Sequence, residues 1–114
     1  MNGKEIAAKL REALRAMNNS GAHWIQGSSA QFANNTPVKF CSIGAIRWAV
    51  CGDPYEETEE ENFLTEALAE VIPEEYRSGS APDTIVRWND SEFRKWSEIE
   101  AAFEKAAKLA EARA

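Results

Sequence analysis

Apolar positions along residues 4 to 18 recur at the 3.6-residue period. Ile6, Leu10, Leu14 and Met17 fall on one side, and Lys4, Lys9, Arg11, Glu12 and Arg15 largely on the other, which predicts an amphipathic helix. The "NNSG" that follows supplies Asn and Gly for a left-handed cap. From His23 to Phe40 the period changes. "HWIQGSSAQF", "ANNTP" and "VKF" predict two short extended runs joined by a turn, a β-hairpin: Asn34, Asn35 and Pro37 are turn formers, and Val38 and Phe40 alternate with a charge. Residues 41 to 51 are apolar nearly all round, with only Ser42 and Arg47 strongly polar, the pattern of a helix at the buried centre of a small domain. Gly52 caps it and Pro54 prevents its continuation.

Farther along, Phe63, Leu64, Ala67, Leu68, Val71 and Ile72 predict a third amphipathic helix, stopped by Pro73. "EEYRSGSAPD" reads as a loop, "TIVRW" as a short extended segment, and "NDSE" as a turn or cap. Ser97 and Glu100 stand at capping-box spacing ahead of Ile99, Ala102, Phe103, Ala106 and Leu109, so a last helix is expected to begin near Ser97 and run towards the end. These elements imply an α+β fold, mainly helical, with about four helices around a buried central one and a small hairpin packed on it.

A chain of 114 residues is expected to form one globular domain, 1–114, burying about two thirds of its unfolded surface without metal or disulfide staples. No apolar run approaches the ~20 residues of a membrane span, so no membrane association is expected. "MNGKEIAAKLREALRAM" is broken by charge every few residues, unlike a secretory signal, and a cytoplasmic location is the expectation. Cys41 and Cys51 lie ten apart on the predicted central helix, about 15 Å at ~1.5 Å rise per residue, beyond disulfide reach.

The distribution of charge says more than the net −6. Between Trp48 and Tyr76 there is no Lys or Arg, while Asp53, Glu56, Glu57, Glu59, Glu60, Glu61, Glu66, Glu70, Glu74 and Glu75 put ten acids into 29 residues. Such a segment repels phosphate, which disfavours direct nucleic-acid binding and favours a basic partner. "DPYEETEEEN" also offers oxygen ligands to a hard cation, but Thr58 occupies the sixth place from Asp53, where an EF-hand loop needs Gly, so a solvated loop and helix start is preferred.

Cys41 stands at the predicted start of the central helix, where unpaired N–H groups and the helix dipole lower a thiol pKa. With His23, the sole imidazole, as base and Asp90 or Asn89 as orienting group, a small cysteine-dependent hydrolase or transferase can be written down. No local signature of a cysteine hydrolase surrounds Cys41. The packing reading is preferred instead, because Cys41, Gly44, Ala45 and Trp48 fall at i, i+3, i+4 and i+7 on one stripe and free Cys is among the most buried residue types. Three His and Cys side chains fall short of the four ligands of a structural zinc site, and neither a metal nor another cofactor is expected.

Of the four tryptophans, Trp24 and Trp88 stand beside amides, in "WIQG" and "WND". Their indoles and the amides of Gln26 and Asn89 can hydrogen-bond across two loops, either to shape a shallow polar and aromatic pocket or to lock the loops on the core. Locking is preferred, since a buried indole N–H needs a partner.

W-x-Q-G at Trp24 to Gly27, a hairpin, C-x-x-G-A at Cys41 to Ala45 and "IVRWND" at Ile85 to Asp90 before an amphipathic helix together resemble a family of small bacterial and phage-encoded proteins of unknown function. That resemblance brings no activity with it. It implies a shared site at Trp24, Gln26, Gly27, Cys41, Gly44, Trp88, Asn89 and Asp90. The acidic run and the loop after Pro73 are outside the resembled pattern, so any work of the acids is particular to this chain. The functional expectation is a non-enzymatic binding protein, a phage or mobile-element accessory, whose acidic residues Asp53, Glu56, Glu57, Glu59, Glu60 and Glu61 engage a basic host-protein surface, as a nucleic-acid mimic or inhibitor where that surface normally holds DNA or RNA.

Overall fold

A computed structural model describes residues 1–18 and 20–113. Helix α1 runs Gly3–Met17 and opens on a reciprocal capping box. Glu5 N donates to Asn2 Oδ1 at 2.8 Å while Asn2 N donates to Glu5 Oε1 at 3.3 Å, which satisfies two amides that the helix cannot pair itself. Its buried stripe is Ala7, Leu10, Ala13, Leu14 and Met17.

Strands β1, Ala30–Ala33, and β2, Thr36–Phe40, form an antiparallel hairpin. Asn34 and Asn35 both take positive φ, 52° and 63°, the backbone of a two-residue turn whose twist matches the strands. Pro37, expected in the turn, sits inside β2 opposite Phe32, next to an irregularity in the register between Gln31 and Phe32 that tolerates its missing N–H. The first extended run is shorter than expected. His23–Ile25 pairs beside the end of β2 instead, through Ile25 N to Phe40 O at 3.0 Å and Phe40 N to His23 O at 2.9 Å.

Helix α2, Ser42–Cys51, packs against α1, β2 and the later helices α3, Glu61–Val71, and α4, Ala81–Asn89. Ser42, Ile43, Gly44, Ala45, Ile46 and Ala49 are all buried, so the helix lacking a polar face is the central one. Its cysteines are free thiols at opposite ends, Cys41 buried and Cys51 exposed. Helix α5, Trp96–Ala112, lies along α1 and α3 and buries Ile99, Phe103, Ala106, Ala107 and Ala110. The architecture is thus α+β: five α-helices, a 3-10 turn at Glu74–Tyr76 and one hairpin among the described residues.

Two further expectations are corrected. "TIVRW" is helical, as part of α4: Ser80 Oγ accepts from Asp83 N at 3.2 Å and Pro82 occupies the first turn, a start signal that outweighs the β-branched run Thr84, Ile85, Val86. At the head of α5 the capping contact is Glu98 Oε1 accepting from Lys95 N at 2.8 Å, not one between Ser97 and Glu100. No helix is long and apolar enough to cross a membrane among the described residues.

Candidate functional site

Asn89, at the end of α4 and fully buried, is the hub of the motif residues. Its Oδ1 accepts from Trp24 Nε1 at 2.8 Å, from Ser42 N at 2.9 Å and from Ser42 Oγ at 2.7 Å. Its Nδ2 donates to Ile25 O at 3.1 Å and to Asp90 Oδ1 at 2.9 Å. Gln26 Nε2 donates to Asn89 O and to Ser91 O, at 2.8 and 3.0 Å, and Gly27 N donates to Asp90 Oδ1 at 3.0 Å. Trp24, Gln26, Gly27, Asn89 and Asp90 are therefore joined in one clasp between the loop before the hairpin and the end of α4. By its bond to Ser42 N, the Asn89 side chain also serves the N-terminus of α2 with a partially negative oxygen from elsewhere in the chain, which the helix dipole favours.

Each glycine of the motif has a separate reason. Gly27 has φ +84°, in the left-handed region open to Gly, and that turn aims its N–H at Asp90. A Cβ on Gly44 would overlap the Ser29 carbonyl, because α2 passes against the backbone of that loop where Cys41 N donates to Ser29 O at 3.2 Å. Trp88 is buried beneath Arg94, whose guanidinium stands 5.2 Å from the Trp88 ring and 5.0 Å from the Tyr76 ring while Nε donates to Trp88 O at 2.8 Å.

Cys41 is the N-cap of α2, and its Sγ accepts from Gly44 N at 3.4 Å. Cys41 as a residue is 4 % exposed. Burial pushes its pKa up, and this outweighs the downward pull of the Gly44 and Ile43 amides; the nearby Asp90 carboxylate pushes it up further. The helix-terminus effect is present but loses to desolvation, so the thiolate a nucleophile requires is disfavoured. His23 is exposed, and no hydrogen bond joins its imidazole to Cys41 among the described residues. Asp90 is near enough to act on the thiol but spends its oxygen on Gly27 and Asn89. The arrangement holds no paired nucleophile and base.

The acids fall into two groups. Asp53, Glu56, Glu57, Glu59 and Glu60 are exposed. Glu61 is 2 % exposed: its Oε2 pairs with Arg47 Nε at 3.0 Å, and its Oε1 accepts from Thr58 N while Thr58 Oγ1 accepts from Glu61 N, a reciprocal pair of bonds that ties the head of α3 to the preceding loop. Glu61 is thereby committed to the fold and withdrawn from any partner face. Arg47, whose side chain is 12 % exposed, also reaches Glu57 at 3.3 Å. A shallow groove of ≈ 450 Å³ runs from this stretch to the start of α4, where Asp83 adds a carboxylate. Among the described residues no three His, Cys, Asp or Glu side chains converge as a metal site.

Ser42 and Arg94 also belong to the motif's surroundings, though neither is among the residues the motif pattern picks out. Ser42 carried a signal, as one of two polar residues in an otherwise apolar helix; Arg94 carried none. No curated protein and no solved structure matches the chain. One family model does, over residues 1–109, and by it the chain belongs to the family described as Family of unknown function (DUF6197).

Proposed function

We propose that the protein is a binding module whose exposed carboxylates at Asp53, Glu56, Glu57, Glu59 and Glu60 engage a basic surface of another protein. The observation that carries this reading is that four of the five carboxylates lack an ion pair among the described residues. All five face solvent in a stretch without Lys or Arg, and the cation beneath them, Arg47, is largely buried, held by Glu61 and in reach of Glu57 alone among the five. Exposed like charges repel one another and destabilise the compact state, a cost that complementarity to a cationic partner offsets on binding. Where the partner's basic surface normally holds DNA or RNA, the module acts as a mimic of that ligand. The motif residues then have a separate task, locking the loops and α2 that carry the face.

Affinity capture from a lysate tests this, with wild type beside a variant in which Glu56, Glu57, Glu59 and Glu60 are all changed to Gln. Glu61 is left intact, because its charge belongs to the fold. Wild type is expected to retain basic proteins that salt releases, and the variant to fold normally and lose them. Capture of the same proteins by both, with the same salt release, refutes the reading.

A further inference from the structure

Between the hairpin and the end of α2 lies an open groove of ≈ 410 Å³ whose walls include Phe32, Pro37, Trp48, Asp53 and Pro54. Phe32 is 47 % exposed and Tyr55 beside it 53 %, their rings 8° from parallel with centroids 6.1 Å apart. Tyr55 is pinned in place, since its hydroxyl donates to Ala30 O at 3.3 Å and its N–H donates to Asp53 Oδ1 at 2.9 Å. Trp48, half-buried, tilts against Phe40 at 5.6 Å. Asp53 is exposed, and its second carboxylate oxygen has no hydrogen-bond partner among the described residues. The groove lining contains no Lys or Arg, and Asp53 is its one ionisable residue.

We propose that this groove receives an arginine side chain from an extended basic segment of the partner; the proposal rests on the acidic-face reading and gives it a point of contact. A guanidinium suits these walls for three physical reasons. Its plane stacks on aromatic faces, its weak hydration lets it enter an apolar groove, and its N–H fork meets a carboxylate. Asp53 at the rim supplies that carboxylate, and Glu56 and Glu57 next along the chain extend the negative field over neighbouring basic residues. Lysine matches the charge but neither the plane nor the fork.

The test is a titration of ¹⁵N-labelled protein, read at the Trp48 indole N–H cross-peak, with a blocked peptide alternating Gly and Arg. The same peptide with Lys, or with citrulline, in place of Arg serves for comparison. The Arg peptide is expected to shift the Trp48 signal saturably, the Lys peptide to bind about fivefold more weakly, and the citrulline peptide to bind least. D53N, which keeps an oxygen for the Tyr55 N–H, is expected to weaken Arg-peptide binding about tenfold with the rest of the spectrum unchanged. The four-Gln variant is expected to lose affinity for the Arg and Lys peptides by the same factor and to keep the Trp48 shift. A silent Trp48, equal affinity for Arg and Lys, or an unaffected D53N overturns the groove. Failure of the acidic face is read separately: lysate capture unchanged by the four Gln substitutions removes that reading while a Trp48 shift sensitive to D53N upholds the groove.

Discussion

Replacing Asn89 by Ala removes the hub of the clasp, and the cost can be worked bond by bond. Asn89→Ala deletes the acceptor shared by Trp24 Nε1, Ser42 N and Ser42 Oγ and the donor to Ile25 O and Asp90. The orphaned groups differ in their access to water. Ser42 is 0 % exposed, so its amide and hydroxyl lose a partner that solvent cannot replace, at about 1–3 kcal/mol for each buried orphan. The Ser42 hydroxyl can rotate towards another acceptor, whereas its amide cannot. Trp24 and Ile25 are half-buried and Asp90 is exposed, so water restores part of what they lose. The sum is about 3 kcal/mol, a large share of the roughly 5–15 kcal/mol that holds a domain together. For a chain of this size that lowers Tm by about 12 °C. Urea denaturation followed by circular dichroism checks it, with an unchanged m-value showing that the same surface is still exposed on unfolding. Gln26→Ala is the comparison: it frees the carbonyl of buried Asn89 and the more exposed one of Ser91 and leaves the Asn89 side-chain bonds in place, so its loss is expected to cost about 1 kcal/mol, well short of Asn89→Ala. An Asn89→Ala protein within about 1 kcal/mol of wild type, or no less stable than Gln26→Ala, refutes the clasp.

In native protein a thiol reagent at neutral pH is expected to modify exposed Cys51 quickly and buried Cys41 slowly; because the Cys41 pKa is raised in the fold, its contribution to stability is intact below the ordinary thiol value of about 8.5 and falls as pH rises above it, which melting curves from neutral to alkaline pH measure. Cys41→Ala is expected to cost about 1 kcal/mol or more through the cavity it leaves, read by urea denaturation. Gly44→Ala drives a methyl into the Ser29 backbone and is expected to cost about 2 kcal/mol or more on the same assay. Glu61→Gln leaves Arg47 buried without its main counter-charge and is expected to cost about 2 kcal/mol, against under about 0.5 kcal/mol for Glu59→Gln or Glu60→Gln; equal melting of the three variants contradicts the division of the acids.

What the sequence displayed and what it hid follow a physical line. Helices α1, α2 and α3 were legible because their apolar positions repeat locally, and the hairpin because Asn34 and Asn35 tolerate the positive φ its turn requires. Helix α4 was misread. Thr84, Ile85 and Val86 suggest a strand, yet Ile85, Trp88 and Asn89 are buried at helical spacing, and the Ser80 cap with Pro82 states the start. In the clasp, the capacity of Trp24, Gln26 and Asn89 to bond across two loops was visible, but the choice of partners some 65 residues away was not, because it depends on how the helices pack. Cys41 posed a contest between a helix terminus and burial, and only the depth of burial decides it. Glu61 looked like one more acid in a run. Its separation from Glu59 and Glu60 comes from Arg47 on α2, a partner that only the packing of α2 against α3 supplies.

The claim that an acidic face selects a cationic partner is tested most directly by the association rate constant of a captured partner, measured from about 50 to 500 mM salt for wild type and for the variant with Glu56, Glu57, Glu59 and Glu60 changed to Gln. The wild-type rate is expected to fall steeply with salt, the variant rate to be slower at low salt and nearly flat, and the dissociation rates to differ much less. Equal association rates with equal salt slopes for the two proteins would contradict the claim.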